Sequence, residues 1–339
     1  MLDVQTLVDK AQETTGLSDF DGDSYREGLD RLVSSLNNEA ALTDIGEVMA
    51  EQAIMEPLTN RLRLGAWREE HPTVTQERVE RPIIIVGMAR SGTTALSHLL
   101  GKDPGLRSLR RFEALDSVPP PIAESWTEDQ RYLDSVEADE MAALVFPELR
   151  SIHHDPPDAP VECNTLLALD FASTVYTTVY HVPTYQNWLM STDLTDAYAW
   201  HERALQVLQS KMPGTWNLKG PQHGYALKTL RARYPDAILV ATHRDPAECA
   251  PSTASLMGYL HGFTSELSRP GELGQTALQF THGCSEGLIE FHQDHLDDDS
   301  VVHVAYTDLV KDPVGTVRRL YGQINRPLTP DVEAALEAH

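Results

Sequence analysis

Cysteine and long apolar runs are scarce in this chain of 339 residues. Its three cysteines, Cys163, Cys249 and Cys284, form no CxxC pair. This excludes a disulfide framework and a cysteine-based zinc site, and it fits a reducing compartment. The apolar run at 83–86 is far shorter than the roughly 18 residues that a membrane-spanning helix needs, and Met1–Lys10 does not resemble a secretion signal. These absences predict a soluble, cytoplasmic protein.

The chain also has few positively charged residues. The chain has 27 Lys and Arg residues against 51 Asp and Glu residues, a formal net charge of −24. Such a field repels nucleic acid and anionic membranes, so we expect neither as a partner. An anionic ligand must then be held by local hydrogen-bond donors. The composition leaves oligomerisation open.

The chain divides into two parts near residue 80. Before it, apolar residues recur at helical spacing, as in Tyr25, Leu29, Leu32, Val33 and Leu36. After it, Pro82 precedes the β-branched run 83–86, which has no polar alternation and is typical of a central parallel strand. We predict a helical N-terminal extension over residues 1–80 and an α/β domain over 81–339.

The buried strand leads directly into a glycine loop. Gly87-Met88-Ala89-Arg90-Ser91-Gly92-Thr93-Thr94 has the G-x-x-x-x-G spacing of a P-loop, and apolar residues at helical spacing follow it. Backbone N–H groups and the helix dipole of such a turn attract an anion. The usual P-loop lysine is replaced by Thr93, and Arg90 is the only cation in the loop. The ligand is therefore expected to be a phosphate compound other than a nucleoside triphosphate.

Further strands are predicted around 215–218, 237–241 and 301–305, separated by helical segments. This alternation of strands and helices predicts a three-layer, P-loop-like α/β fold with a parallel sheet of about five strands and added helices. Over 160–180, apolar residues four apart predict one well-buried helix.

Four segments carry a resemblance to a known family. Arg90-Ser91-Gly92-Thr93-Thr94 resembles the [KR]-S-G-T-T loop of sulfotransferases that use 3′-phosphoadenosine-5′-phosphosulfate (PAPS). Residues 216–223 resemble the Lys-x-Pro-x-His element of the family's bacterial branch, and residues 306–313 resemble its last strand-to-helix stretch. Arg244 follows a predicted strand, and Ser252 comes eight residues later, the separation of the family's 3′-phosphate motif. The resemblance runs from about residue 81 to residue 338.

In the same region, a helix start can be predicted from the residues alone, without the resemblance. Asp245 is predicted as the N-cap, Pro246 as the first helical residue, and Glu248 as the partner in a capping box. This places a helix at the carboxyl end of a strand, where α/β sheets bind ligands. The family closes its nucleotide site with a C-terminal basic segment, and we expect that segment to be missing after the helix that starts at Thr329-Pro330.

The resemblance implies a role for each matching residue. Arg90 neutralises the leaving phosphosulfate, and Lys219 adds a second cation on the sulfonate side. The loop residues Ser91, Gly92, Thr93 and Thr94 hold the 5′-phosphate, and Arg244 and Ser252 bind the 3′-phosphate. No metal is required, because the donor is already activated, and the product is 3′-phosphoadenosine-5′-phosphate (PAP).

Two residues are candidates for the base that accepts the acceptor's proton. Glu113 lies 23 residues after Arg90, near where related sulfotransferases place a glutamate, and it is our first choice. His223 in the Lys-x-Pro-x-His element is the second, as base or as orienting partner. An ion pair of Glu113 with Arg110 or Arg111 would be a purely structural explanation.

The function implied is sulfuryl transfer from PAPS to a hydroxyl of a small-molecule acceptor. His153 and Glu162 lie in a stretch that resembles the acceptor region of the bacterial branch. The first alternative is a P-loop phosphotransferase, which predicts the lysine that Thr93 replaces. The second is a non-catalytic nucleotide-binding protein.

Overall fold

The centre of the protein is a parallel sheet, seen in a computed structural model that describes residues 1–145, 156–296 and 298–338. Its five strands within those ranges are β1 (Ile83–Gly87), β2 (Leu106–Ser108), β3 (Thr215–Lys219), β4 (Ile238–His243) and β5 (Val301–Ala305). They are ordered β2-β3-β1-β4-β5, and every pairing is parallel. The predicted α/β class and the strand number are confirmed. The short strand β2 was not predicted, because only three residues form it.

Strand β1 is the central strand of the sheet, and all five of its residues are buried. Its side chains alternate between the two faces, as a strand requires. Ile84 and Val86 join one hydrophobic cluster, and Ile83 and Ile85 join the other. Apolar layers therefore cover both faces, which explains the run without polar alternation.

Helices surround the sheet and connect its strands. Within the described ranges, the α-helices are α1 (Val4–Thr15), α2 (Tyr25–Asn38), α3 (Asp44–Glu70), α4 (Thr93–Leu100), α5 (Arg111–Leu115), α6 (Gln130–Val145), α7 (Asn164–Leu167), α8 (Thr174–Val179), α9 (Pro183–Leu189), α10 (Thr195–Gln209), α11 (Leu227–Arg233), α12 (Pro246–Thr264), α13 (Pro270–Asp294), α14 (Tyr306–Lys311), α15 (Pro313–Gln323) and α16 (Pro330–Glu337). Short 3₁₀ helices cover Pro72–Gln76, Trp126–Glu128, Ala168–Asp170 and Pro221–Tyr225. In this part of the chain, no helix has both the length and the apolar character needed to cross a membrane.

The first 80 residues form helices that pack on the rest of the protein. Leu29 and Leu58 belong to the same hydrophobic cluster as Phe171 and Tyr185. The fully buried Arg61 donates from Nη1 to Asp170 Oδ1 at 2.8 Å and to the carbonyl of Leu169 at 2.9 Å. A buried ion pair of this kind fixes α3 against the segment that precedes α8. The domain boundary at residue 80 stays a prediction.

The single helix predicted over 160–180 is wrong. The structure has α7, the 3₁₀ turn Ala168–Asp170 and α8, separated at Phe171, whose φ is +51°. Ser173 then caps α8, because its Oγ accepts a hydrogen bond from the amide of Val175 at 3.2 Å. A serine side chain that competes for the backbone in this way favours a helix start over a helix interior.

Candidate active site

The glycine loop between β1 and α4 can form only with glycine at its two ends. Gly87 has a φ of +152°, and a β-carbon there would lie 2.3 Å from Thr242 Oγ1. Gly92 has a φ of +95°, and a β-carbon there would lie 2.9 Å from Tyr306 Cδ2. Both the backbone conformation and the lack of space exclude larger residues. The loop is thus held close to β4 and to the start of α14.

Ser91 fixes the loop from inside. It is fully buried, its Oγ donates to the carbonyl of Met88 at 2.6 Å, and it shares a hydrogen bond with Thr242 Oγ1 at 2.7 Å. Helix α4 then begins at Thr93, and among the described residues no side chain caps its first turn. The backbone N–H groups of that turn have no partner within the helix and point out of its N-terminal end, which is electropositive. This is the arrangement that proteins use to hold a phosphate.

Arg90, Arg244 and Ser252 lie together beside the loop. Arg90 donates from Nε to Ser252 Oγ at 3.0 Å, and Arg244 donates from Nη1 to the carbonyl of Arg90 at 2.9 Å. The Arg244 guanidinium also stacks 4.2 Å from the ring centre of Tyr306 and donates from Nε to Glu248 Oε2 at 2.9 Å. Two cations therefore lie at one end of the glycine loop, where the sequence places the 3′-phosphate motif.

Helix α12 begins as predicted, except for one contact. Asp245 is the N-cap, Pro246 is the first helical residue, and Asp245 Oδ1 accepts from the amide of Ala247 at 2.8 Å. The reciprocal half of the predicted capping box is missing from the hydrogen bonds described, since the side chain of Glu248 accepts from Arg244. A charge-assisted hydrogen bond to arginine is stronger than one to a backbone amide, and it takes precedence here.

Lys219 reaches the other end of the loop from the neighbouring strand. Although its side chain is fully buried, Nζ donates to Thr94 Oγ1 at 2.8 Å and lies 3.7 Å from Glu162 Oε1. Because β1 and β3 pair with Ile85 opposite Lys219, the lysine is carried to the end of β1 where the loop begins. This cation comes from a different strand, while the loop itself has Thr93 where a P-loop has lysine.

Glu162 is a carboxylate of the site to which the sequence assigned no catalytic role. Its side chain is 27% exposed, and its Oε2 accepts from Asn164 Nδ2 at 3.0 Å. The backbone bond from the Cys163 amide to the Lys219 carbonyl, at 2.8 Å, holds the segment against β3. Only the resemblance to an acceptor region pointed to this stretch, because the pairing with Lys219 spans 57 positions of sequence.

His223 is buried beside the Lys219 segment. Its Nδ1 shares a hydrogen bond with the hydroxyl of Tyr198 at 2.7 Å, and its Nε2 has no partner within the described chain. Burial lowers the pKa of His223 to about 3, so the ring is neutral at physiological pH. The Tyr198 hydroxyl has no other acceptor in these ranges; we therefore assign its proton to the bond with Nδ1 and the ring proton to Nε2.

Glu113 lies in a buried ion pair. Its carboxylate accepts from Arg107 Nη1 at 3.0 Å and from Nη2 at 2.8 Å, and Oε1 also accepts from the amide of Arg110 at 2.9 Å. Both side chains are almost completely buried. The partner is thus Arg107, and neither Arg110 nor Arg111 takes that place. These contacts occupy both oxygens and connect Glu113 to none of the other predicted site residues.

The structure thus gathers most of the predicted residues around one loop. Ser91, Gly92, Thr93 and Thr94 form it, Arg90, Arg244 and Ser252 lie at one end, and Lys219 lies at the other with Glu162. His223 lies behind Lys219, and Glu113 lies apart in its ion pair. His153, which the sequence associated with the acceptor, lies outside the described residues. The site combines an amide cradle, several cations and, beside Lys219, the partly exposed carboxylate of Glu162, which suits transfer of an anionic group.

Comparison with known proteins identifies relatives of one kind. A family model described as "Sulfotransferase family" matches residues 82–330. Two curated relatives, named omega-hydroxy-beta-dihydromenaquinone-9 sulfotransferase Stf3, come from Mycobacterium bovis and Mycobacterium tuberculosis. Each is 25% identical over 257 residues, which is 71% of this chain and 61% of the relative. The chain therefore spans about three fifths of the length of these relatives.

Two solved structures share the fold over the whole chain. Sulfotransferase STF9 from Mycobacterium avium is 30% identical with a TM-score of 0.93, and the match covers 100% of this chain and 87% of that one. Sulfotransferase STF1 from Mycobacterium tuberculosis H37Rv is also 30% identical, with a TM-score of 0.91 and coverage of 100% and 93%.

Proposed function

Because the chain belongs to the sulfotransferase family, we propose that it transfers a sulfonate group from PAPS to a hydroxyl of a small-molecule acceptor. The observation that carries this proposal is the position of Lys219. Its Nζ lies 2.8 Å from Thr94 Oγ1 in the first turn of α4, a helix whose N-terminus has no side-chain cap among the described residues. The loop of a nucleoside triphosphate-binding protein would supply the lysine itself. Here the cation approaches from the next strand, on the side of the exposed carboxylate.

The residues of the loop fit the donor. The amides of Gly92, Thr93 and Thr94 at the start of α4 would hold the 5′-phosphate, and the Thr94 hydroxyl adds a donor. Ser91 contributes its backbone, since its side chain is buried against Thr242. Arg244 and Ser252 would hold the 3′-phosphate, which distinguishes PAPS from nucleotides without that group.

The remaining residues suit the chemical step. In-line transfer forms a bond between the acceptor oxygen and sulfur as the bond from sulfur to the 5′-phosphate oxygen breaks, and PAP leaves. Arg90 and Lys219 would neutralise the negative charge that gathers on the leaving oxygen and the sulfonate. The acceptor's proton must move to a base within hydrogen-bond distance.

We assign the base to Glu162. It is the carboxylate beside Lys219 and is open to solvent over a quarter of its side chain. Glu113 has both oxygens bound to Arg107 and to a backbone amide, which leaves it poorly suited to accept a proton. His223 carries a proton on Nε2 in our assignment and is a weak base, since burial lowers its pKa to about 3.

The acceptor is proposed from the relatives. The name of the Stf3 proteins specifies an omega-hydroxy compound, and we infer that an aliphatic hydroxyl on an apolar molecule is the acceptor class here as well. 1-Octanol is a suitable probe, because it presents one such hydroxyl and nothing that titrates. A cytoplasmic location stays a prediction from the sequence.

Calorimetry with PAP, AMP and ATP tests the nucleotide site, and mass spectrometry of octyl sulfate made from PAPS and 1-octanol tests transfer. We expect PAP to bind more tightly than AMP or ATP, and octyl sulfate to form without added magnesium. Tight binding of ATP with no heat from PAP would support the phosphotransferase instead. Binding of PAP with no transfer would support a non-catalytic nucleotide-binding protein.

The 3′-phosphate assignment has its own variant. Arg244→Ala should weaken PAP binding by about tenfold to a hundredfold and leave AMP binding nearly unchanged, because a charge-assisted hydrogen bond contributes about 1.5–3 kcal/mol. Arg318→Ala is a matched control, since Arg318 also pairs with a glutamate, Glu333, but on helices α15 and α16 away from the loop. An equal loss of PAP and AMP binding in Arg244→Ala would contradict the assignment.

A further inference from the structure

Asn164 connects the residues around the proposed base. It is buried, with 6% of its surface exposed, and its Nδ2 donates to Glu162 Oε2 at 3.0 Å and to Thr174 Oγ1 at 2.8 Å. Glu162 Oε1, the other oxygen, faces Lys219 Nζ at 3.7 Å. One carboxylate oxygen is therefore held by a neutral donor and the other faces a cation.

The orientation of the Asn164 amide is fixed by its surroundings. Thr174 Oγ1 donates to Gln222 Oε1 at 3.3 Å, and therefore it accepts the bond from Asn164. Gln222 is fixed in turn, since its Nε2 donates to the carbonyl of Ala172 at 2.7 Å. A flipped Asn164 would place its own oxygen against the Glu162 carboxylate, and this repulsion excludes the flip.

We propose that Asn164 is the positioning residue of the sulfonate transfer, holding the Glu162 carboxylate beside Lys219 and being oriented itself by Thr174. This proposal depends on the proposed function and adds to it. Asn164 does not contact the reacting atoms and acts through Glu162.

Two substitutions test the proposal. Asn164→Ala removes the donor, and the single-turnover rate with PAPS and 1-octanol should fall about tenfold through misplacement of the carboxylate, with PAP affinity unchanged. Because Asn164 acts through Glu162, the same substitution should cause little further loss in the Glu162→Gln background. Asn164→Asp keeps the volume and adds a like charge beside Glu162, so its rate should fall at least as far.

Asn217→Ala is the matched control. Asn217 is an equally buried asparagine on β3 whose Nδ2 also donates two hydrogen bonds, to the Ser97 carbonyl and to Ser108 Oγ, both at 2.9 Å. A purely structural effect would lower the melting temperature in both alanine variants. Only the Asn164 variants should lower the single-turnover rate while PAP affinity stays unchanged.

The outcomes separate this proposal from the proposed function. If PAP binds, Glu162→Gln is slow, and both Asn164 variants keep the wild-type single-turnover rate, the positioning role is overturned and the sulfotransferase assignment stands. A rate that falls equally in Asn217→Ala also overturns it, as does a further tenfold loss when Asn164→Ala is added to Glu162→Gln. If the wild-type chain does not bind PAP, the proposed function fails first.

Discussion

Glu113 and Glu162 are both paired with a cation, yet the two surroundings are opposite. Glu113 is completely buried, and the fork of Arg107 binds both of its oxygens at 2.8–3.0 Å. Glu162 is partly exposed, and the cation beside it, Lys219, lies 3.7 Å away and bonds to Thr94 at the start of α4 instead. A carboxylate can exchange a proton with a ligand only if an oxygen remains accessible. The comparison is the basis of our proposal that Glu113 has a structural role and that Glu162 is the base.

Each pair also occupies a different place in the fold. Arg107 is on the edge strand β2, where its guanidinium stacks 4.0 Å from the ring centre of Trp216. Glu162 lies just before α7, and the amide of its neighbour Cys163 bonds to the carbonyl of Lys219 at the end of β3. In parallel sheets, ligands bind at the carboxyl ends of the strands. Position along the sheet and exposure of the side chain give the same assignment.

The largest expected effect is on turnover in Glu162→Gln. This nearly isosteric change removes the base, and the rate of octyl sulfate formation should fall by about 10²–10⁴-fold, the range of general-base catalysis. PAP binding and the melting temperature should change little, because the side chain is partly exposed. Mass spectrometry of the product and calorimetry with PAP measure the two sides of this expectation.

Glu113→Gln provides the comparison in the same assay. If it loses as much turnover as Glu162→Gln while remaining folded and binding PAP, the distinction between the two carboxylates is wrong and the first choice from the sequence is restored.

The second effect is on stability. Glu113→Ala leaves Arg107 buried without its counter-charge, and this should lower the free energy of unfolding by about 3–5 kcal/mol. Urea unfolding followed by circular dichroism measures the loss. No comparable loss is expected in Glu162→Ala, whose partner Lys219 keeps its bond to Thr94.

A double variant sharpens this second test. Arg107→Met combined with Glu113→Leu replaces the pair by apolar side chains and should recover most of the stability, since such replacements of buried ion pairs are often neutral or better. The recovered protein should also transfer sulfonate. A stable but inactive double variant would show that Glu113 is needed for chemistry.

Much of the scaffold follows from local sequence. The β-branched run of β1, the glycines of the loop and the Asp245-Pro246 helix start each act through their own backbone or immediate neighbours, and the structure has these elements where the sequence predicts them. The helix over 160–180 was predicted wrongly because its apolar spacing is set by burial, while Ser173 and the ion pair of Asp170 with Arg61 decide the backbone.

The partners of the carboxylates could not be predicted in the same way. Glu113 is six positions from Arg107, yet the pair depends on α5 turning back over the edge strand. Lys219 and Glu162 meet because β3 pairs with β1 and because the amide of Cys163, next to Glu162, bonds to the carbonyl of Lys219. Spacing in sequence does not contain the pairing of distant strands, so candidate bases can be named from sequence but not ranked.

The smallest expected effect concerns His223, which is as buried as Glu113. Burial lowers its pKa to about 3 in the folded protein, against 6.5 for an ordinary histidine. Between these values the unfolded chain binds a proton that the folded chain does not, so the free energy of unfolding falls as pH decreases from about 6.5 to 3. One such histidine contributes at most about 1.4 kcal/mol per pH unit.

His223→Gln should weaken the dependence of the free energy of unfolding on pH by up to the contribution of one proton. Urea unfolding at pH 7, 6 and 5 measures this change in slope. Tyr198→Phe is the matched control, because it keeps the imidazole buried and should retain the wild-type slope. His223→Gln should also retain turnover to within about tenfold at neutral pH, since the buried ring bonds to Tyr198 and not to the proposed base. A loss of about a hundredfold or more, with an unchanged unfolding slope, would instead place His223 with Glu162 among the groups that exchange protons during the reaction.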